Sequence, residues 1–183
     1  MKIPLSGRKK ALFIVDVQSA FINSRNQYIV KKITHLLNTI PYDFYVTVSF
    51  HAEKGSLWDK QQGWTCPRDD KSHTFPDIVG LLNPQKCISI VKTTKSVFKG
   101  DKNLFTLLKD EHIEEVHIVG LDTNDCVLAS AYEAFDLGFF TYVIEEGCES
   151  SSSSALHKSA VALLRQQNMT NNSCIEKIRM ANI

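Results

Sequence analysis

A chain of 183 residues is about one domain's worth of polypeptide and can bury a sizeable core by itself. Its apolar fraction of 43% and charged fraction of 22% are ordinary for a globular domain. A formal net charge of +1, scattered lysines and a basic run no longer than Arg8-Lys9-Lys10 give no electrostatic basis for nucleic-acid or anionic-membrane binding. No apolar run approaches the roughly 20 residues that span a bilayer. The opening Met1-Lys-Ile-Pro-Leu-Ser-Gly7 lacks the apolar centre of a signal peptide, so a cytoplasmic protein is expected. Five cysteines (Cys66, Cys87, Cys126, Cys148, Cys174) form no CxxC pair and no zinc-ligand spacing. In a reducing compartment they are free thiols.

Strand-like and helix-like segments alternate along the chain. Residues 11–17 are a near-continuous apolar run, as expected of a strand covered on both faces. Residues 27–39 place Ile29, Ile33, Leu36 and Leu37 at helical spacing. Strands are expected at 43–50 and 87–92, then a helix over 101–110 capped by Asp101 and carrying Leu104, Leu107 and Leu108. Strand 115–120, helix 124–137, strand 139–144 and helix 152–167 follow, and 172–183 supplies a short last strand and a helical turn. Between them, residues 51–86 lack periodicity and contain Gly55, Gly63, Pro67, Pro76, Pro84, Trp58 and Trp64. A loop that long and that aromatic is expected to be a packed lid.

Repeated βα units predict one domain over 1–183 with a mostly parallel sheet, right-handed crossovers and helices on both faces. In such sheets the ligand site lies beyond the carboxyl ends of the strands. Asp16, His51, Lys92 and Cys126 all fall at or just past expected strand ends. Cys126 also opens an amphipathic helix, where unpaired N–H groups and the helix dipole favour a thiolate. A buried thiol used only for packing is the commoner fate of a free cysteine, but position favours a nucleophile here. A carboxylate inside Ile-Val-Asp16-Val is costly to bury without a partner, which again points to function.

Three segments carry a family resemblance: Leu12-Phe-Ile-Val-Asp16-Val-Gln-Ser-Ala-Phe21, Val91-Lys92-Thr-Thr-Lys-Ser-Val-Phe98 and Val119-Gly-Leu-Asp-Thr-Asn-Asp-Cys126-Val. Gly138 and Glu146-Gly-Cys-Glu-Ser…His157 fit as well, and the match spans about residues 10–165. The chain resembles the isochorismatase-like cysteine hydrolases, which include nicotinamidases and N-carbamoylsarcosine amidases. The resemblance implies a three-layer α/β/α domain, Rossmann-like, with a six-stranded, mostly parallel sheet. It implies an Asp16-Lys92-Cys126 catalytic triad, a cis peptide at Leu121–Asp122, and an oxyanion hole from the backbone N–H groups of Asp122 and Cys126. It also implies a homo-oligomer.

The expected reaction is hydrolysis of a small carboxamide or ureido C–N bond through a thioester on Cys126, with Asp16 moving the proton. Phe21, His51, Trp58, Trp64 and Phe98 are candidate substrate-binding residues, with ordinary packing as the alternative for each aromatic. Metal-dependent relatives carry Asp-x-His where this chain has Ser49-Phe50-His51, and no histidine follows until His73. One imidazole without companions is no metal site, so no metal and no cofactor are expected. Asp122 either binds an amino or ureido group of the substrate or stays solvated. Vinyl ether cleavage of the isochorismatase type is the first alternative, and a non-catalytic or redox-responsive binding protein is the second. A nucleotide-binding dehydrogenase is disfavoured, because Gly120-Leu-Asp-Thr-Asn-Asp125 has no G-x-G-x-x-G fingerprint.

Overall fold

A computed structural model describes residues 7–69 and 72–172. Five parallel strands, β1 (Lys10–Val15), β2 (Phe44–Phe50), β3 (Cys87–Lys92), β4 (Glu115–Gly120) and β5 (Phe140–Cys148), form one sheet in the order β3-β2-β1-β4-β5. The sheet therefore has five strands, not the six expected, and every pairing is parallel. Near its end the described chain meets the sheet edge through a single parallel bridge between Val143 and Thr170, and the Asn171 side chain accepts from the Glu145 N–H (3.1 Å). One bridge fixes no further ladder. The last strand expected within 172–183 lies, apart from Asn172, outside the described residues.

Successive side chains of a strand point to opposite faces, and β1 shows the consequence. Ala11, Phe13 and Val15 join one apolar cluster while Leu12 and Ile14 join another. The helices α1 (Tyr28–Thr39) and α3 (Pro76–Val79) cover the Leu12/Ile14 face through Ile29, Ile33, Leu36 and Ile78. The opposite face is covered by α4 (Val97–Gly100), α5 (Leu104–Asp110) and α6 (Leu128–Asp136). Leu164 of α7 (Ser154–Gln166) joins the Ala11/Phe13/Val15 cluster. Three layers result, with the sheet in the middle.

Several boundaries move for local reasons. β1 stops at Val15 because Asp16 takes a left-handed conformation (φ 54) that a strand cannot continue. β5 runs past residue 144 because a register shift between Ile118 and Gly120 lets Cys148 pair with Gly120. The expected helix start at 101 slides to Leu104, since Asp101 accepts a hydrogen bond from the Asn103 N–H (2.8 Å) in a turn before the helix. The 51–86 loop is partly ordered by α2 (Leu57–Gln62), which Ser56 caps and Gly63 ends, and by α3.

Candidate active site

Strand order reverses at β1: the chain runs β1, β2, β3 outward and then returns to place β4 on the other side. A crevice opens at the carboxyl ends of the two strands flanking such a switch point. Asp16 leaves the end of β1, and Leu121-Asp122 leaves the end of β4. The approach of the two turns is very close. A Cβ on Gly120 would lie 2.0 Å from the Val15 carbonyl oxygen, and Gly120 has φ +121, so glycine is required there. The peptide that follows, Leu121–Asp122, is cis. The chain then coils through a π-helical turn, Thr123–Val127, in which the Val127 N–H bonds the Asp122 carbonyl (3.2 Å). Cys126 sits inside this turn, not at the plain α-helical start expected from the sequence.

Three side chains converge at this rim. Lys92, last residue of β3, passes over the ring of Phe50 on β2 (4.8 Å to the centroid) to reach across two strands. Its Nζ donates to Asp16 Oδ2 at 2.7 Å and to Cys126 Sγ at 3.2 Å. All three are buried, with exposures of 1% for Lys92, 3% for Asp16 and 7% for Cys126. Lys92 can lie so deep because Gly100 has no side chain; a Cβ there would come within 2.6 Å of the Lys92 Cβ. Ser130 links the two neighbouring turns, accepting from the Val97 N–H (3.1 Å) and donating to the Cys126 carbonyl (2.6 Å).

Burial raises the proton affinity of Asp16 above that of an ordinary carboxylate, although Lys92 pulls against it. Burial works against the Lys92 ammonium, but Asp16 and Cys126 outweigh it and hold the amine above its usual value. The Cys126 thiol lies well above its usual value, first because it is buried and then because Asp16 is beside it. Burial thus works against the thiolate that the helix position favours, while Lys92 pulls toward it. Asp16 Oδ1 is buried and has no hydrogen-bond partner among the described residues, which leaves an oxygen available to take a proton.

These groups open into a cavity of about 570 Å³, within the range of small-molecule sites. Of the expected wall residues, Phe21, Trp58 and Trp64 line it, together with Phe50, which sequence reasoning missed. Phe50 stacks on Trp64 (centroids 5.6 Å apart) and meets Trp58 edge-on (4.8 Å), while Phe21 lies 5.7 Å from Trp64. The Trp58 indole N–H donates to the Thr93 carbonyl (2.9 Å), tying α2 to the chain after β3. Two expected wall residues lie elsewhere. Phe98 is packed in the core against Phe13 and Phe139, because α4 turns it inward. His51 is buried outside the cavity, with its backbone N–H donating to the Lys92 carbonyl (2.9 Å); burial, then Arg68, lowers its proton affinity.

Asp122 and Asp125 also line the cavity. Ser151 holds Asp122 by its N–H to Oδ1 and its hydroxyl to Oδ2, both at 2.8 Å. The signal for Ser151 in the sequence was weak, since it sits in a run of five serines that reads as loop.

The chain matches the isochorismatase domain family over residues 10–173. The chain belongs to the isochorismatase family. It is 31% identical over 157 residues to the uncharacterized isochorismatase family protein YrdC of Bacillus subtilis (strain 168), covering 75% of this chain and 72% of that one. Its fold is similar to PnC1 of L. infantum, solved in complex with nicotinate (TM-score 0.75, 17% identity, 93% and 95% of the two chains). It is also similar to the pyrazinamidase of Pyrococcus horikoshii, solved in complex with zinc (TM-score 0.73, 19% identity, 88% and 97%). A zinc-bound relative raises the question of whether this isochorismatase-family hydrolase can hold such an ion. Among the described residues, no three His, Cys, Asp or Glu side chains are grouped to do so. Ser49 stands two residues before His51, His73 is exposed, and the buried His51 Nδ1 is a single unpartnered donor atom. Among the described residues the donor set does not fit a metal.

Proposed function

We propose that this isochorismatase-family protein is a metal-independent cysteine amidase that hydrolyses a small carboxamide or ureido compound with Asp16, Lys92 and Cys126. The observation that carries this reading is the Lys92 ammonium, 2.7 Å from Asp16 and 3.2 Å from Cys126 beside a ligand-sized cavity. As Cys126 Sγ attacks the carbonyl carbon, its proton passes to Asp16, whose raised affinity suits a base that must later act as an acid. The oxyanion is received by the backbone N–H groups of Asp122 and Cys126. Asp16 then protonates the leaving nitrogen, the C–N bond breaks, and ammonia or an amine departs from a thioester. Water, losing its proton to Asp16, attacks the thioester; the C–S bond breaks, and the sulfur recovers the proton from Asp16. Throughout, Lys92 keeps its charge and holds the carboxylate and the sulfur in register.

The flat ligand of the L. infantum protein and the aromatic walls here support a planar substrate. The reading also takes the enzyme to work in the cytoplasm as a homo-oligomer, which sedimentation would check. Ammonia release from a panel of small amides is the direct test. Activity is expected in the native protein, and Cys126→Ala should lower it by about 10³-fold or more. Undiminished turnover in a folded Cys126→Ala protein would refute a thioester. Indifference to Cys126→Ser, with loss in Asp16→Asn, would point instead to vinyl ether cleavage.

A further inference from the structure

The cavity combines two kinds of wall. β2 and the 51–86 loop supply the faces and edges of Phe50, Trp58 and Trp64. The turn after β4 supplies carboxylates. Among the described residues, the charged side chains lining the cavity are Asp16, Asp122 and Asp125, and no lysine, arginine or histidine lines it. Nearby ammonium groups are already engaged. Lys92 is occupied by Asp16 and Cys126. Lys95 pairs with Asp125 and lies 4.9 Å from the Trp58 ring, its side chain half-exposed. Asp122 has no ion-pair partner among the described residues. Its two oxygens each accept one hydrogen bond from Ser151, and each has a lone pair left. Within the same cavity, Asp16 Oδ1 is buried and unpartnered.

We infer that the cavity selects a substrate whose non-reacting part is a flat, positively charged group, placed between the aromatic rings and the Asp122 carboxylate. This rests on the amidase reading only for which bond is cut. A cation relieves the cost of an uncompensated, partly buried carboxylate and is attracted to the π-faces of Trp58 and Trp64. A carboxylate-bearing substrate meets the uncompensated charge of Asp122, and the buried Lys92 ammonium, already shared between Asp16 and Cys126, is not free to receive it. The isochorismatase-family scaffold is thereby turned toward cationic amides and away from acids.

The experiment uses ligands of one ring size that differ in charge: nicotinamide, the 1-methylnicotinamide cation and 3-carbamoylbenzoate. Titration calorimetry on the full chain carrying Cys126→Ala measures binding without turnover. The cation is expected to bind about tenfold or more tightly than nicotinamide, and the carboxylate about tenfold or more weakly. In the double variant with Asp122→Asn, the cation-to-neutral ratio should fall toward one. The charge order in the protein that retains Asp122 is decisive even if the double variant does not fold. A cation that binds no better than nicotinamide, a carboxylate that binds best, a ratio unmoved by Asp122→Asn, or no binding of any of the three at millimolar concentration overturns the inference. Binding in the expected order by a native protein that releases no ammonia from the cation would instead count against the amidase reading.

Discussion

Burial and the neighbouring Asp16 carboxylate both favour the neutral thiol at Cys126, while Lys92 pulls toward the thiolate. Replacing Asp16 by asparagine removes one of the two forces holding the proton on sulfur and leaves Lys92 in place. Alkylation of Cys126 by iodoacetamide is thus expected to begin at lower pH in Asp16→Asn than in the native protein. Ammonia release in the same variant should drop by about 100-fold or more, because the proton acceptor is gone. More reactive sulfur with less catalysis is an outcome that a simple thiolate nucleophile does not produce. Because Asp16 must be ionised to accept that proton, and burial raises its affinity, the acid limb of kcat/KM should lie above the ordinary carboxylate value of 3.8. The sign for stability follows from the same shift. The folded state binds the Asp16 proton more tightly than the unfolded state does, so this carboxyl contributes less stability as pH rises from 3.8 through its folded value. Lys92 is also raised, so its contribution is complete below 10.5 and is lost as pH climbs through its folded value. Lys92→Met would strand Asp16 as an unpaired buried charge, with an expected loss of about 3–5 kcal/mol in urea unfolding.

Elements place these residues through contacts that lie outside the catalytic groups. Gly120 lets the turns after β1 and β4 touch, and a methyl group there would collide with the Val15 backbone in a conformation that L-residues avoid. Gly120→Ala is expected to cost about 3 kcal/mol or more in denaturant unfolding and to abolish turnover. Gln18 does similar work behind the Phe50 wall of the cavity. Its amide accepts from the Phe50 N–H (2.7 Å) and donates to the Phe50 and Ser72 carbonyls (3.2 and 2.7 Å), so it clamps the end of β2 to the long loop. Gln18→Ala leaves buried backbone groups unpaired, at about 1–3 kcal/mol. Since Phe50 anchors both tryptophans, KM should rise more than kcat falls. A rise in KM matched by an equal fall in kcat would mean that Gln18 reaches the triad directly. The π-helical turn at Cys126 is a further element-scale device: it aims the sulfur at Lys92 while Ser130 pins the carbonyl behind it.

At the scale of the whole molecule, the architecture was legible because apolar strands and helical spacings alternate, which only a parallel sheet with crossovers accommodates. Asp16 and Cys126 were legible for a related reason, since each falls at a strand end or opens a turn at the same rim, whereas Lys92 was separated from Lys95 only by the spacing of the motif that resembles the family. What pattern could not give was direction. Phe98 and Phe21 read alike as aromatics near a motif, yet α4 turns Phe98 into the core while Phe21 faces the cavity. Helix position speaks for a more acidic Cys126 but carries no information on burial, which raises the proton affinity of the sulfur. Phe50 and Ser151 were hidden because their roles depend on what the loop and the serine run pack against. Fold and rim together make one claim: a carbonyl carbon is passed to Cys126 and then to water. Rapid acid quench of the native protein during turnover of a slow amide, followed by intact and peptide mass measurement, tests it most directly. The account predicts an adduct equal to the substrate minus its leaving amine, located on the peptide that contains Cys126. Steady ammonia release with that peptide unmodified, and with Cys126→Ala equally active, would contradict it.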